Sequence, residues 1–230
     1  MDKVLVIFPA YNEEDNIKRV VDNLINNYPE YDYVVVNDGS RDRTREICKE
    51  NGYRLLDLPV NLGLAGGFQA GMKYAYRAGY NYAIQFDADG QHRPEYIKPI
   101  LEKMKEGYDI VIGSRFVEKK KPYSMRMIGS RLIAGAIRLT TGMKIKDPTS
   151  GMRMFNRITM KECAINKNYG PEPDTVSYLI KKGAKVAEVQ AEMDERVAGE
   201  SYLNAITSAV YMARMLTSIL VIQNFRKRTK

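Results

Sequence analysis

Tyr82-Ala83-Ile84-Gln85-Phe86-Asp87-Ala88-Asp89-Gly90-Gln91-His92 is the stretch on which the fold of this chain turns. A short apolar run bounded by a turn signal reads as a buried strand. Two carboxylates one residue apart at its exit are costly to desolvate unless a cation satisfies them. The same pattern, an apolar run and then a polar cluster, recurs on both sides. Residues 4–8 lead into 9–14, residues 33–37 into 38–42, residues 53–57 into 61–67, and residues 109–112 into 113–115. Amphipathic stretches from Glu13, Arg41, Gly66 and Pro94, each expected to run about three turns or more, separate the runs. This alternation predicts an α/β domain with a mainly parallel central sheet and helices on both faces. Such sheets bind ligands beyond the carboxyl ends of their strands, which is where the polar clusters fall.

After Arg115 the pattern changes to a basic segment, Glu118-Lys119-Lys120-Lys121-Pro122. A helix over 125–141, a turn-rich 147–151, a strand near 152–155, a helix near 175–182 and a strand near 185–189 follow. A long carboxyl-terminal helix completes the reading. The 230 residues divide into a catalytic unit, 1–200, and an amphipathic helix with a basic tail, 201–230. Residues 202–225 are diluted by Asn204, Thr207, Ser208, Arg214, Thr217 and Ser218, so the segment is expected to lie on a membrane or pack on a subunit rather than span a bilayer. The tail residues Arg226, Lys227, Arg228 and Lys230 would add attraction to anionic lipid.

A net charge of +8 calls for a polyanionic partner: nucleic acid, an anionic membrane or phosphorylated substrates. The tyrosines are not interleaved with basic residues in the manner of a single-strand-binding face, so no nucleic acid is expected. Cys48 and Cys163 have no metal-ligand spacing and read as ordinary thiols of a reducing compartment. The opening residues lack the pattern of a secretory leader, and a cytoplasmic location is expected. Gly63, Gly66, Gly67 and Gly71 do not make a dinucleotide fingerprint; they read as a tight turn feeding a closely packed helix.

Hard divalent cations take oxygen ligands, and Mg²⁺ commonly bridges carboxylates to substrate phosphates while keeping water. Asp89 and Gln91 are therefore the expected ligands of Mg²⁺ or Mn²⁺, with Asp87 nearer a nucleotide ribose or outside the first ring of ligands. The alternative is an acidic turn capping the helix that starts at Pro94. His92 is expected to be hydrogen-bonded or solvated rather than a ligand. Asp38 suits the imide of uracil or guanine, against a plain turn role, and Asp42 suits a helix cap.

Taken in order, Pro9-Ala10-Tyr11-Asn12-Glu13-Glu14, Asn37-Asp38-Gly39-Ser40, Asn61-Leu62-Gly63, Asp87-Ala88-Asp89-Gly90-Gln91-His92, Gly113-Ser114-Arg115, Asp147-Pro148-Thr149-Ser150-Gly151-Met152-Arg153, and Glu195-Arg196 with Gly199-Glu200-Ser201 resemble glycosyltransferase family 2. More narrowly, the chain is similar to polyprenyl-phosphate sugar synthases, the group of dolichol-phosphate mannose synthase and bacterial undecaprenyl-phosphate glycosyltransferases. The resemblance implies the nucleotide-diphospho-sugar transferase (GT-A) fold. It implies nucleotide contacts at Pro9, Tyr11, Glu13, Val36, Asp38, Asp87 and Ala88, and metal ligands at Asp89 and Gln91. Phosphate contacts fall at Arg115, Arg126, Ser130 and Arg196, which with Asp89 form the expected catalytic set.

The expected reaction is an inverting, metal-dependent transfer from a UDP-hexose or UDP-N-acetylhexosamine to polyprenyl phosphate, at the inner face of the cell membrane. A homo-oligomer or a small membrane-protein partner through the carboxyl-terminal helix is also open. The segment Tyr169-Gly170-Pro171-Glu172-Pro173-Asp174 departs from the mannose-synthase pattern, and the second domain of larger members is not expected within these residues. A lipid phosphate is already ionised and needs positioning and charge compensation, which Lys119, Lys120, Lys121, Arg126 and Arg131 supply in sequence. A hydroxyl acceptor would instead need a base, for which Glu172 or Asp174 is available. An inactive scaffold would have no use for Asp87, Asp89 and Gln91.

Overall fold

The computed structural model describes residues 2–166, 169–195 and 205–225. Seven strands form one sheet: β1 (Val4–Ala10), β2 (Asp32–Asp38), β3 (Leu55–Leu58), β4 (Tyr82–Gln85), β5 (Ile110–Ser114), β6 (Arg153–Asn156) and β7 (Val186–Gln190), in the order β3-β2-β1-β4-β6-β5-β7. Every neighbouring pair is parallel except those of β6, which runs antiparallel between β4 and β5. The sheet is thus mixed and mainly parallel, and its β-branched runs are buried on both faces, as parallel sheets require. Alternate residues of β1 separate cleanly. Leu5 and Ile7 join one core, while Val4, Val6 and Phe8 join the other.

Eight helices cover these faces: α1 (Ile17–Asn27), α2 (Thr44–Glu50), α3 (Gly63–Arg77), α4 (Ile97–Lys105), α5 (Met125–Thr141), α6 (Arg157–Ile165), α7 (Pro173–Lys181) and α8 (Ala205–Thr217). The first helix starts four residues later than expected, because Asn12 takes a left-handed backbone (φ 56°) and the next residues are held in a loop. α2 is shorter than the expected three turns, and Pro94 opens a 3₁₀ turn before α4. α3 begins before Gly66 and packs closely: a Cβ on Gly71 would stand 2.4 Å from Ile7 Cγ2. α6 was not foreseen. It is capped by Asn156, whose side chain accepts from Thr159 N, and it buries only Thr159, Met160 and Cys163, too sparse a pattern to read as a stripe. Burial pushes the Cys48 and Cys163 thiols up to about 11 and about 12, so both stay protonated at neutral pH.

α8 continues through a π-helical turn, Ser218–Ile222, into Gln223–Phe225. Met215, Ile219 and Gln223 form a buried seam at spacings of four, while Val210, Val221, Ile222 and Phe225 face outward. The seam packs on α5 and α7. Among the described residues no helix is long and apolar enough to cross a membrane. Residues 226–230, which carry the basic tail, lie outside the described residues, as do Arg196 and Gly199-Glu200-Ser201.

Candidate active site

The loops beyond β1 and β2 are zipped to each other before any ligand is considered. Asn12 N donates to Ser40 Oγ (3.1 Å) and Arg41 N returns to Asn12 Oδ1 (2.9 Å). Glu13 N donates to Thr44 Oγ1 (2.8 Å), Glu14 N to Asp42 Oδ2 (3.0 Å) and Arg43 N to Glu14 Oε2 (3.0 Å). Asp42 also accepts from Thr44 N (3.0 Å), so it braces the start of α2 two residues on, although Arg43 is the formal cap. Asp38, only 4 % exposed, accepts from Leu62 N (2.8 Å) and draws in the loop that opens α3. Of the other residues expected at the nucleotide, Pro9, Tyr11 and Glu13 are half-buried and Val36 and Ala88 are buried.

At the exit of β4, Asp87 is half-buried and Asp89 is buried. Gln85 Nε2 donates to Asp87 Oδ1 (3.1 Å), and Gln91 N donates to Asp89 Oδ1 (3.0 Å). Asp87 N donates to His92 Nδ1 (3.0 Å), which fixes that nitrogen as an acceptor and leaves the ring proton on Nε2, 3.6 Å from Asp87 Oδ2. His92 is therefore a hydrogen-bonded support, as expected, stacked edge-on against Phe86. Gln91 Nε2 donates to Asp194 O (3.3 Å), so the amide nitrogen is committed and its Oε1 is the atom left to offer a cation. Among the described residues no group of three or more His, Cys, Asp or Glu gathers around a common point. The oxygen set here is hard and sparse, which fits a cation that fills its shell from diphosphate and water.

The segment after β7 closes this loop from the other side. Asp194 N donates to Gln91 O (2.9 Å), His92 bridges to Met193, and Arg93 pairs with Asp194 (Nε to Oδ1 2.7 Å) and Glu192 (3.4 Å). The chain thus reaches the site just before Arg196.

Beyond β5, Arg115 is held by Asp147 in a fork: Nε to Oδ2 2.7 Å, Nη2 to Oδ1 2.9 Å, with Arg115 N also donating to Oδ2 (3.1 Å). Burial opposes ionisation of Asp147, but this guanidinium and its backbone N–H outweigh it and hold the carboxyl below the ordinary range. From there a chain of polar contacts runs outward. Arg115 Nη2 meets Thr149 Oγ1 (3.4 Å), Thr149 meets Ser130 Oγ (3.2 Å), and Lys121 Nζ donates to Ser130 (2.8 Å). The 147–151 turn also touches the acidic loop: a Cβ on Gly151 would stand 2.7 Å from Asp87 Oδ2. Arg126 lies in the first turn of α5, its side chain outside the described set.

Arg153 is fully buried, donating to Pro171 O (2.8 Å) and Pro148 O (2.7 Å), and its Nε has no hydrogen-bond partner among the described residues. It ties the 147–151 turn to the segment of Glu172. Burial and the charge of Asp174 push the Glu172 carboxyl up. Asp174 accepts from Ser218 Oγ (2.7 Å), and its carbonyl accepts from Gln223 Nε2 (2.6 Å). The tasks of Asp147, Thr149 and Arg153 within the 147–153 motif emerge only in the structure. The available signal was an arginine inside a four-residue apolar strand.

The family model described as Glycosyl transferase family 2 matches residues 5–163. The undecaprenyl-phosphate mannosyltransferase of Micrococcus luteus is 31% identical over 217 residues, covering 88% of each chain. The UDP-N-acetylglucosamine–dolichyl-phosphate N-acetylglucosaminyltransferase of Methanococcus voltae is 35% identical over 186 residues, covering 70% of this chain and 72% of that one. The glucosyl-3-phosphoglycerate synthase of Mycobacterium tuberculosis, solved with Mn²⁺, UDP and phosphoglyceric acid, superposes with a TM-score of 0.67 at 17% identity, over 99% of this chain and 80% of that one. This last likeness establishes the GT-A fold.

Proposed function

Given that the chain belongs to glycosyl transferase family 2 and is a glycosyltransferase, we propose that it transfers a sugar from a nucleotide-sugar donor to a polyprenyl phosphate. The observation that carries this reading is the run Arg115, Thr149, Ser130 and Lys121, a line of cations and hydroxyls within hydrogen-bond reach of one another and joined to the Asp87 loop through Gly151. Such a line compensates an anionic oxygen and contains no base, which suits an acceptor that is already ionised.

On the donor side, Asp38 and Asp87, with Pro9, Tyr11, Glu13, Val36 and Ala88, would hold the base and ribose. The zipped loops set these groups in place before binding, so little ordering remains to be done. Asp89 and Gln91 Oε1 would hold Mg²⁺ or Mn²⁺, which when bound supplies charge to the departing diphosphate. Arg126 and Arg196 would reach the phosphates. Arg115, with its fork on Asp147, would orient Thr149 and offer its remaining N–H groups. Attack by the acceptor oxygen on the anomeric carbon expels the nucleoside diphosphate in line, which inverts that carbon. The relative from Methanococcus voltae and the neighbour from Mycobacterium tuberculosis support a UDP-sugar, either a hexose or an N-acetylhexosamine.

The unit 201–230 would rest on the inner face of the membrane; over its described residues, 205–225, the outward side is largely apolar and the inner seam packs on the catalytic unit. Contact with a second copy or a small membrane protein would use the same outward side. A second reading sends the sugar to a hydroxyl, with Glu172 as base; its raised pKa is the direction a base needs. Radiolabelled nucleotide sugars offered with polyprenyl phosphate and divalent metal decide between them. Label entering the organic phase supports the lipid acceptor. Label confined to water-soluble product overturns it.

A further inference from the structure

An open cavity of about 300 Å³ lies on the flank of α5, lined also by Phe116 and the 144–146 segment. Six cations line it: Lys119, Lys121, Arg131, Arg138, Lys144 and Lys146. Among the described residues only Lys119 has a carboxylate partner, Glu192. Lys121 donates to Ser130 Oγ, Arg131 to the carbonyls of Lys121 and Pro122, and Lys146 to Val117 O (2.6 Å). The side chains of Arg138 and Lys144 pair with nothing among the described residues. No carboxylate lines the concavity. Asp147 and Glu188 behind it offset part of the charge at Lys121, and Glu188 accepts from Lys146 N (2.6 Å). The six cations still repel each other, and an entering anion is favoured. Burial lowers the pKa of Lys121, with Arg115 and Arg131 adding to the shift and Asp147 and Glu188 opposing it.

A second observation narrows the anion. α5 shows solvent an apolar stripe at helical spacing: Met125 (77 % exposed), Ile128 (46 %), Leu132 (53 %) and Leu139 (81 %). Tyr123, just before the helix, is 96 % exposed. Soluble surfaces rarely leave such a row uncovered, and a soluble anion would not need it. An apolar stripe with cations on its flank is the arrangement of a helix lying in the headgroup layer.

We propose that the α5 cavity binds the phosphate of an anionic bilayer phospholipid while the stripe from Met125 to Leu139 enters the acyl boundary, making α5 a second membrane-binding element. Lys121 belongs both to this cavity and to the Ser130–Thr149 line, so the lipid-facing side of α5 adjoins the acceptor end of the site. The proposal deepens the lipid-acceptor reading, but its test needs neither donor nor acceptor.

The full chain is floated with vesicles of phosphatidylcholine alone or with added phosphatidylglycerol. The wild type binds the anionic vesicles preferentially. R138Q with K144Q weakens that binding about twenty-five-fold, from about 1 kcal/mol per basic residue, while transfer to polyprenyl phosphate in detergent is unchanged. L132Q with L139Q weakens it on both vesicle types. Unaltered vesicle binding by R138Q/K144Q overturns the proposal. So does calorimetry in which inorganic phosphate alone saturates the wild type and abolishes vesicle binding, since the cavity then takes a soluble anion. Intact vesicle binding without any lipid-linked product would sink the proposed reaction and leave this site standing.

Discussion

The two ends of the active-site cleft are built on opposite plans. At the donor end, beyond β1, β2 and β4, nearly every polar group already has a partner in the protein: Asn12 with Ser40 and Arg41, Glu14 with Arg43, Asp38 with Leu62, His92 with Asp87. At the proposed acceptor end, along α5, six cations line one cavity with no carboxylate in its wall, beside an uncovered apolar stripe. The first is finished before its ligand arrives, and the second is finished by its ligand. A nucleotide is small and fixed in shape, so a rigid cradle favours it. A lipid comes with its bilayer, and a surface left open in charge and apolarity fits that partner.

Attacking the rigid end at its acid should do the most damage. Asp89→Asn removes a charge while keeping the acceptor for Gln91 N, so turnover should fall on the order of a thousandfold with the circular dichroism spectrum unchanged; near-normal turnover would remove Asp89 from the reaction. Next comes the buried tie between the 147–151 turn and the segment of Glu172. Arg153→Leu leaves the Pro148 and Pro171 carbonyls without their donor and should cost about 3 kcal/mol in urea denaturation. A smaller loss would mean that water replaces the guanidinium and that the turn and the segment are less tightly joined than the geometry indicates.

At the open end, Lys121→Gln should lower kcat/KM for the lipid phosphate about tenfold to a hundredfold and leave the donor Kd as it was. An equal effect on donor binding would erase the distinction between the ends. The smallest effect appears only in acid. The Asp147 carboxyl is depressed by Arg115, so its stabilisation is complete above its unfolded value, near 3.8, and is lost as pH falls through the lower folded value. Asp147→Asn should therefore be less stable at neutral pH and show a flatter decline below about pH 4; an unchanged acid limb would separate this pair from stability.

Most of the sheet and the donor end were legible because strands and their exits are local signals. An apolar run ending in Asp87 and Asp89 announces both a strand and a site within eleven residues. What escaped depends on distance. β6 runs antiparallel because Met154 pairs with both Ile84 and Val111, partners that no local window contains. Arg115 was read as a phosphate grip, but its fork lies on Asp147, 32 residues away. Asn12, Glu14 and Ser40 belong to recognisable motifs, yet in the structure Asn12 bonds Ser40 and Glu14 bonds Asp42 and Arg43, a task that sequence spacing does not reveal. The α5 stripe was hidden for a different reason: Met125, Ile128, Leu132 and Leu139 look like core residues until the fold shows which face is already occupied.

The bonds from Ser218 and Gln223 to Asp174 carry a consequence for synthesis. Glu172 and Arg153 sit behind contacts that cannot form until residue 223 has left the ribosome. The loops beyond β1 and β2 can assemble while the chain is still growing, but the segment of Glu172 must wait for the carboxyl-terminal helix. On the proposed reading, a nascent chain would complete its donor cradle before the end that receives the lipid.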